Sequence, residues 1–287
     1  MKFGIGQPVT RKEDPKFLMG QGRYVGDIDM LNIAQAFILR SPHANARIIS
    51  VDVSAAREAP GVILILTGED YASSGLGSMA CHTINPMLTG GQAAIQRPHG
   101  ALVKDVVKCV GARVALIIAE TLEQAKDASE LIEIDYETLP SVASTEQARS
   151  GDAPLVWEGT DNNLSFVYKM GNVSGVEDAM TNAAYITKAR ISNNRVNTNA
   201  MEPRSSIGIY DKGEQKYTLY AGNQGPNRVR EELANEILKI PEAKLQVISP
   251  DVGGGFGMKG GAYGEDILVL WAAKQTGRPV KWVGERL

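Results

Sequence analysis

The chain has 287 residues, of which 43% are hydrophobic, and carries a formal net charge of −3. That is enough apolar material for one large or two medium cores, and the near-neutral charge without a long basic run gives no electrostatic footprint for nucleic acid. No apolar run approaches the roughly 20 residues of a transmembrane helix, and the opening "MKFGIGQPV" lacks the apolar core of a signal peptide, so a cytoplasmic location is expected.

Two cysteines, Cys81 and Cys109, are too few for an iron–sulfur cluster or a C-x-x-C site. Any such cluster is expected on another chain. Three histidines, His43, His82 and His99, are too scattered for a zinc motif and read as surface or turn residues. No serine-centred nucleophile elbow is present, so nothing points to a self-sufficient hydrolase.

From about 33 to 140 strand-like and helix-like pieces alternate: "IAQAFILR", "GVILILTG", "ARVALIIAE", "TLEQAKDASELI" and "EIDYETLP". In the helical piece Thr121 and Gln124 have capping-box spacing, and Ala125, Ala128 and Ile132 follow at helical intervals. A short helix is expected from Ser54 to before Pro60. The run from 73 to 100 has little regular pattern and reads as a long ordered loop at a subunit or site boundary. Residues 142–170 are rich in turn formers and read as a linker. Beyond it come a helix at "VEDAMTNAA", strands at "YITKARISN", "SSIGIYD", "KYTLYAG" and "KLQVISP", and a helix at "PNRVREELANEILKI" opened by Pro226 and stopped by Pro241. The last piece, "GRPVKWVGERL", ends on a strand without a cap or polar tail, so the chain is expected to stop within a domain.

The densest punctuation is "SPDVGGGFGMKGGAYG", residues 249–264, with seven glycines and the lone aromatic Phe256. Glycine permits positive φ and close approach of a ligand or another backbone. The run follows a strand and precedes "EDILVLWAAKQTGRP", a helix with acids in its first turn, Gly277 past its end and Pro279 beyond. Its backbone N–H groups and the helix N-terminus are candidates to hold an anion such as phosphate; the alternative is a tight turn without a ligand. Met258, Lys259 and Gly260 do not satisfy a P-loop. Gly255, Gly257 and Gly260 fit G-x-G-x-x-G but stand near the end of the chain rather than in a first βα unit, so an ordinary ATP or NAD site is not expected.

Several stretches together resemble the large subunit of the molybdenum hydroxylases, the xanthine dehydrogenase and aldehyde oxidase family that includes aerobic carbon monoxide dehydrogenases. They are "GQPVTRKEDPKFLMGQGRYVGDID", "RSPHANARIISVDVSAAREAPGVILILTGED", "VGARVALIIAETLEQAKDASELIEIDYETLP", "NAMEPRSSIGIYD", "GNQGP" and "DVGGGFGMKGGAYGEDILVLWAAKQTGRPVKWVGER". The resemblance implies an α/β and α+β architecture: an N-terminal arm (1–17), a hammerhead α/β domain (18–141), a linker (142–170) and the first, incomplete part of a molybdopterin-binding domain (171–287).

It also implies that Gly255, Phe256 and Gly257 lie against the molybdenum centre, and that Gln224 of "GNQGP" contacts the metal's ligands through its amide. By its residues alone Gln224 reads as a strand-end polar group capping the following helix. Glu202 and Arg204 of "MEPR" read as a structural ion-pair or hydrogen-bonding element, and Lys259 as a scaffold charge. The implied cofactor is molybdopterin, as the cytosine dinucleotide, with molybdenum; [2Fe–2S] clusters and FAD would sit on partner chains, alongside the remainder of the large subunit or a second large-subunit chain. The family hydroxylates an sp² carbon with water as the oxygen source, using a glutamate base that would lie beyond Leu287, so neither a catalytic residue nor a metal ligand is assigned within the chain. Purine and aldehyde members often carry a glutamate directly after the loop lysine. Here that position is Gly260, which argues against xanthine and leaves an N-heterocycle or an aldehyde, with carbon monoxide as an alternative. A non-catalytic scaffold of the same fold and a nucleotide-binding protein are the competing classes.

Overall fold

A computed structural model describes residues 4–6, 8–79, 97, 99–168 and 170–285. Most of the irregular run between 73 and 100, with Cys81 and His82, lies outside the described residues.

After a short helix, α1 (Asp14–Leu18), the first half contributes strands β1 (Ala34–Arg40), β2 (Ala46–Asp52), β3 (Val62–Thr67), β4 (Val106–Val107), β5 (Arg113–Ala119) and β6 (Glu133–Thr138). Between them lie helices α2 (Ser54–Arg57), α3 (Gly68–Ser73) and α4 (Leu122–Ser129). Thr121 and Gln124 form the expected capping box on α4. Short α5 (Thr145–Ala148) and α6 (Val173–Thr181) follow, then β7 (Ser205–Asp211), β8 (Lys216–Ala221), α7 (Pro226–Glu231), β9 (Leu245–Ile248), α8 (Gly264–Thr276) and β10 (Val280–Val283).

Seven strands make one mixed sheet in the order β3-β5-β1-β10-β7-β8-β9, and β4-β2-β6 form a smaller antiparallel sheet. The large sheet is continuous across both halves of the chain, because β10 inserts between β1 and β7, parallel to the first and antiparallel to the second. β5 is buried on both faces. Ala115, Ile117 and Ala119 pack with Ala125 and Ala128 of α4, while Leu116 and Ile118 join the cluster built around α8. α8 is buried continuously from Gly264 to Ala273. A helix apolar all round needs cover on every side, which the sheet and its flanking elements supply here. Gly277 ends it at φ 67°, the left-handed C-cap the sequence predicts.

Three expectations need correction. The helix at 176–184 starts earlier, at Val173, where Asn172 caps it by accepting from the Gly175 N–H. The single helix expected over 226–240 is α7 followed by a π-helical segment, Glu232–Leu238, that ends at Lys239 with φ 53°; apolar spacing does not distinguish i+4 from i+5 bonding. The strand expected at 185–193 does not form, since the segment has no neighbour to pair with among the described residues.

Candidate functional site

The run between β9 and α8 folds into a turn. Met258 N–H donates to the Gly255 carbonyl at 2.8 Å, and the central residues Phe256 and Gly257 both have positive φ, 50° and 85°. Positive φ at both central positions is the mark of a type I′ turn, and it is costly for a phenylalanine. Gly254 is also at positive φ, 99°, and a Cβ there would lie 2.8 Å from the Phe256 ring. The phenylalanine is 72% exposed, so no core contact holds it in this strained backbone.

Gln224 meets this turn directly. Its side-chain carbonyl accepts the Gly257 N–H at 3.0 Å, and a Cβ on Gly255 would come within 2.5 Å of the Gln224 Cδ. Gly255 is therefore glycine because the amide of Gln224 occupies the space of a side chain. Gln224 does not cap α7: the N-cap is Gly225, without a side-chain hydrogen bond, and Asn223 accepts the Gly225 N–H instead.

Beneath the turn lies a buried ion pair. Lys259, 1% exposed, reaches the Glu202 carboxylate at 2.7 Å and the Glu202 carbonyl at 3.1 Å. The same carboxylate oxygen accepts the Gly253 N–H at 2.7 Å, and the Lys259 carbonyl accepts the Gln224 N–H at 2.8 Å. Lys259 thus ties Glu202 to Gln224 through one residue. The other carboxylate oxygen of Glu202 is buried with no partner among the described residues. From the π segment, Glu232 accepts the Ala262 N–H at 2.9 Å and braces the far end of the run.

Arg204, two residues past Glu202, faces a different charge. It donates to Glu265 at 3.0 Å and stacks 3.8 Å over the Tyr263 ring. Glu265, 1% exposed, also meets Arg40 at 2.6 Å and Arg113 at 3.6 Å. Burial alone would raise this carboxyl, but the charges of Arg204 and Arg113 and hydrogen bonds from Arg204 and Arg40 outweigh it and bring its pKa to about 2. Its neighbour Asp266 moves the other way, pushed up to about 6 by burial and by Glu265 against hydrogen bonds from Ser206 and the Tyr263 N–H. Asp266 also closes the α8 capping box. The helix N-terminus considered as an anion seat is therefore taken by the protein's own carboxylate. Arg40, Arg204, Met258, Tyr263, Asn197 and Trp282 line a groove of about 810 Å³ on the Met258 side of the turn.

What remains for an anion is the turn itself. Among the described residues the N–H groups of Gly254, Gly255 and Phe256 have no acceptor, nor does the Gln224 side-chain NH₂. The nearest buried carboxylate is neutralised by Lys259. A surface rich in donors, with the Phe256 ring as its only large side chain among the described residues and shielded from negative charge, fits an anionic group approaching edge-on. The sequence-predicted residues Gln224, Gly255 and Gly257 are in mutual contact, and the Phe256 ring lies over Gly254. The sequence gives no role to Gly254, although its place in an unbroken glycine triplet is a signal for close approach.

A family model for the aldehyde oxidase and xanthine dehydrogenase a/b hammerhead domain matches residues 19–140, and one for the molybdopterin cofactor-binding domain matches 156–287. The nicotine 6-hydroxylase large subunit of Paenarthrobacter nicotinovorans is 35% identical over 98% of this chain and 33% of its own length. The carbon monoxide dehydrogenase large chain of Afipia carboxidovorans is 32% identical over 99% of this chain and 35% of its own. Quinoline 2-oxidoreductase from Pseudomonas putida 86 superposes with a TM-score of 0.87 at 32% identity, covering 100% of this chain and 35% of that one. The chain spans about a third of the length of the curated relatives it matches. It belongs to the molybdenum hydroxylase large-subunit family, of which it carries the hammerhead and molybdopterin-binding regions.

Proposed function

We propose that the chain forms one wall of a molybdopterin pocket in a molybdenum-dependent hydroxylase, with Gln224, Gly255, Phe256 and Gly257 as the residues that hold the cofactor. The observation that carries this reading is the unpaired donor set of the turn, Gly254 to Phe256 with the Gln224 NH₂, above a neutralised Glu202. When bound, the cofactor supplies the redox centre for hydroxylation of a carbon with oxygen from water. Gln224 orients its NH₂ toward the cofactor because its carbonyl is fixed by Gly257. The turn gives N–H groups without side-chain bulk, and Lys259 holds both supports in register.

In this reading the general base comes from the part of the large subunit that the relatives contain and this chain does not span. The substrate is an N-heterocycle or an aldehyde. Nicotine and quinoline in the names of two relatives favour a heterocycle, and the match to a carbon monoxide dehydrogenase large chain keeps carbon monoxide oxidation as the second reading. In this proposal the cofactor is the cytosine dinucleotide form, partner chains carry [2Fe–2S] clusters and FAD, and the assembly works in the cytoplasm. Residues 1–17 act as an arm, 18–141 and 171–287 as two functional units, and 142–170 as their link.

The test is molybdenum analysis of the intact native assembly and of the same assembly carrying Gly255→Ala. Near-stoichiometric molybdenum in the native protein, falling severalfold in the variant while the polypeptides still co-purify, is the expected result. An undegraded assembly without molybdenum would replace this reading with that of a non-catalytic scaffold. Full retention by Gly255→Ala would remove the turn from the cofactor site.

A further inference from the structure

The segment 185–193, "YITKARISN", has the alternation and the β-branched and aromatic content of a strand, yet it is irregular and wholly exposed. Among the described residues no backbone group from 185 to 199 makes a hydrogen bond. Tyr185 is 96% exposed, Ile191 87% and Val196 85%. There is no glycine or proline from Val176 to Glu202, and from Tyr185 to Ile191 there is no asparagine, aspartate or serine either, so this part of the segment has none of the residues that favour a turn. An irregular run this long and this apolar is unusual in a compact domain. It has the composition of a paired element without the pair.

We infer that residues 185–193 form a β-strand completed by a sheet edge in the portion of the large subunit that the relatives contain and this chain does not span. The relatives are about three times as long as the matched region, so such a portion exists in the family. This inference rests on the proposal that the chain works within a larger large-subunit assembly. Extended, the segment puts Tyr185, Thr187, Ala189 and Ile191 on one face and Ile186, Lys188 and Arg190 on the other, where Arg190 meets Glu146 at 3.0 Å in an exposed pair. No acid occurs between Asp178 and Glu202, and Arg195 adds a third positive charge. The complementary edge is therefore apolar on one face and, on the other, mixed, with an acidic group to meet Lys188. Two copies of this segment would set like charges against each other, which disfavours a second copy of the chain as the partner.

The position gives the strand a consequence. It leads within a few residues to Ala200 and Glu202, and the Glu202 N–H donates to the Gly253 carbonyl at 3.2 Å. A Cβ on Gly254 would lie 3.3 Å from the Ala200 Cβ. Pairing at 185–193 thus fixes the segment that floors the glycine turn.

Hydrogen–deuterium exchange read by mass spectrometry, on the intact assembly and on the chain alone, tests this. Amides of 185–193 are expected to exchange about a hundredfold more slowly in the assembly, at least at alternate positions, and to be unprotected in the chain alone at every concentration. Equal exchange in both samples overturns the inference, and protection that grows with the concentration of the chain alone assigns the edge to a second copy instead. Molybdenum measured on the same assembly reads the cofactor proposal separately, so either can fail without the other. Ala189→Pro and Arg190→Pro each delete one of two successive N–H groups, which point to opposite sides of a strand. At least one is expected to weaken assembly about tenfold, with the melting temperature of the chain alone unchanged because the segment lies outside its cores. Unweakened assembly in both variants overturns the inference.

Discussion

Two of the carboxylates sequestered in the second half of the chain, Glu265 and Glu202, are treated in opposite ways. Glu265, at the start of α8, is surrounded by Arg40 of β1, Arg113 of β5 and Arg204 just before β7, and both of its oxygens are engaged. Glu202, under the glycine turn, has among the described residues one cation, Lys259, and one oxygen without a partner. The first cluster joins strands from distant parts of the sequence to one helix, so it acts as a lock on the continuous sheet. The second supports a strained turn whose donors face outward. A lock is served by satisfying every group. A platform for a ligand is served by fixing the supports and leaving the upper surface unpaired.

Removing each charge sharpens that contrast. Glu265→Gln leaves three arginines around a neutral amide, and guanidinium groups cannot discharge by losing a proton. The expected loss is about 4 kcal/mol of unfolding free energy, measured by urea denaturation of the chain. Lys259→Met keeps the length of the side chain but leaves Glu202 buried without its cation. The carboxylate keeps the Gly253 N–H, so the loss is smaller, about 3 kcal/mol. If Lys259→Met proves costlier than Glu265→Gln, the assignment of lock and platform is reversed.

The lock and the platform were not equally legible in the sequence. α8 was readable because its punctuation is local: acids in the first turn, Gly277 at the left-handed cap and Pro279 beyond. The capping box of Thr121 and Gln124 was readable for the same reason. The cluster around Glu265 was not, because its partners stand 61 to 225 residues away and no spacing rule joins them. The strand β2 was missed, being half exposed and broken in its alternation by a register shift between Ile48 and Ser50. Gln224 and the glycine turn were singled out only through resemblance to a family, since by itself the glutamine looked like a helix cap. Their contact is a fact of the fold that a separation of 33 positions conceals. The strand expected at 185–193 failed for a different reason: alternation records what a segment can pair with, but the neighbour must be present for the ladder to form.

The smallest expected effect separates two adjacent residues of the lock by pH. Glu265, held at about 2 against 4.5 when unfolded, contributes stability that is present above pH 4.5 and lost as pH falls through 2. Asp266, raised to about 6 from 3.8, works in the opposite sense: its folded form prefers the proton, so its contribution is fully present below pH 3.8 and is lost as pH rises through 6. Asp266→Asn mimics the protonated side chain and retains groups able to meet Ser206 and the Tyr263 N–H. Its melting temperature, relative to the native chain, should therefore climb between pH 4 and 6 and level off above. A difference that stays flat across that interval would mean that Asp266 remains charged in the fold, held there by Arg204 and its two hydrogen-bond donors rather than neutralised by burial.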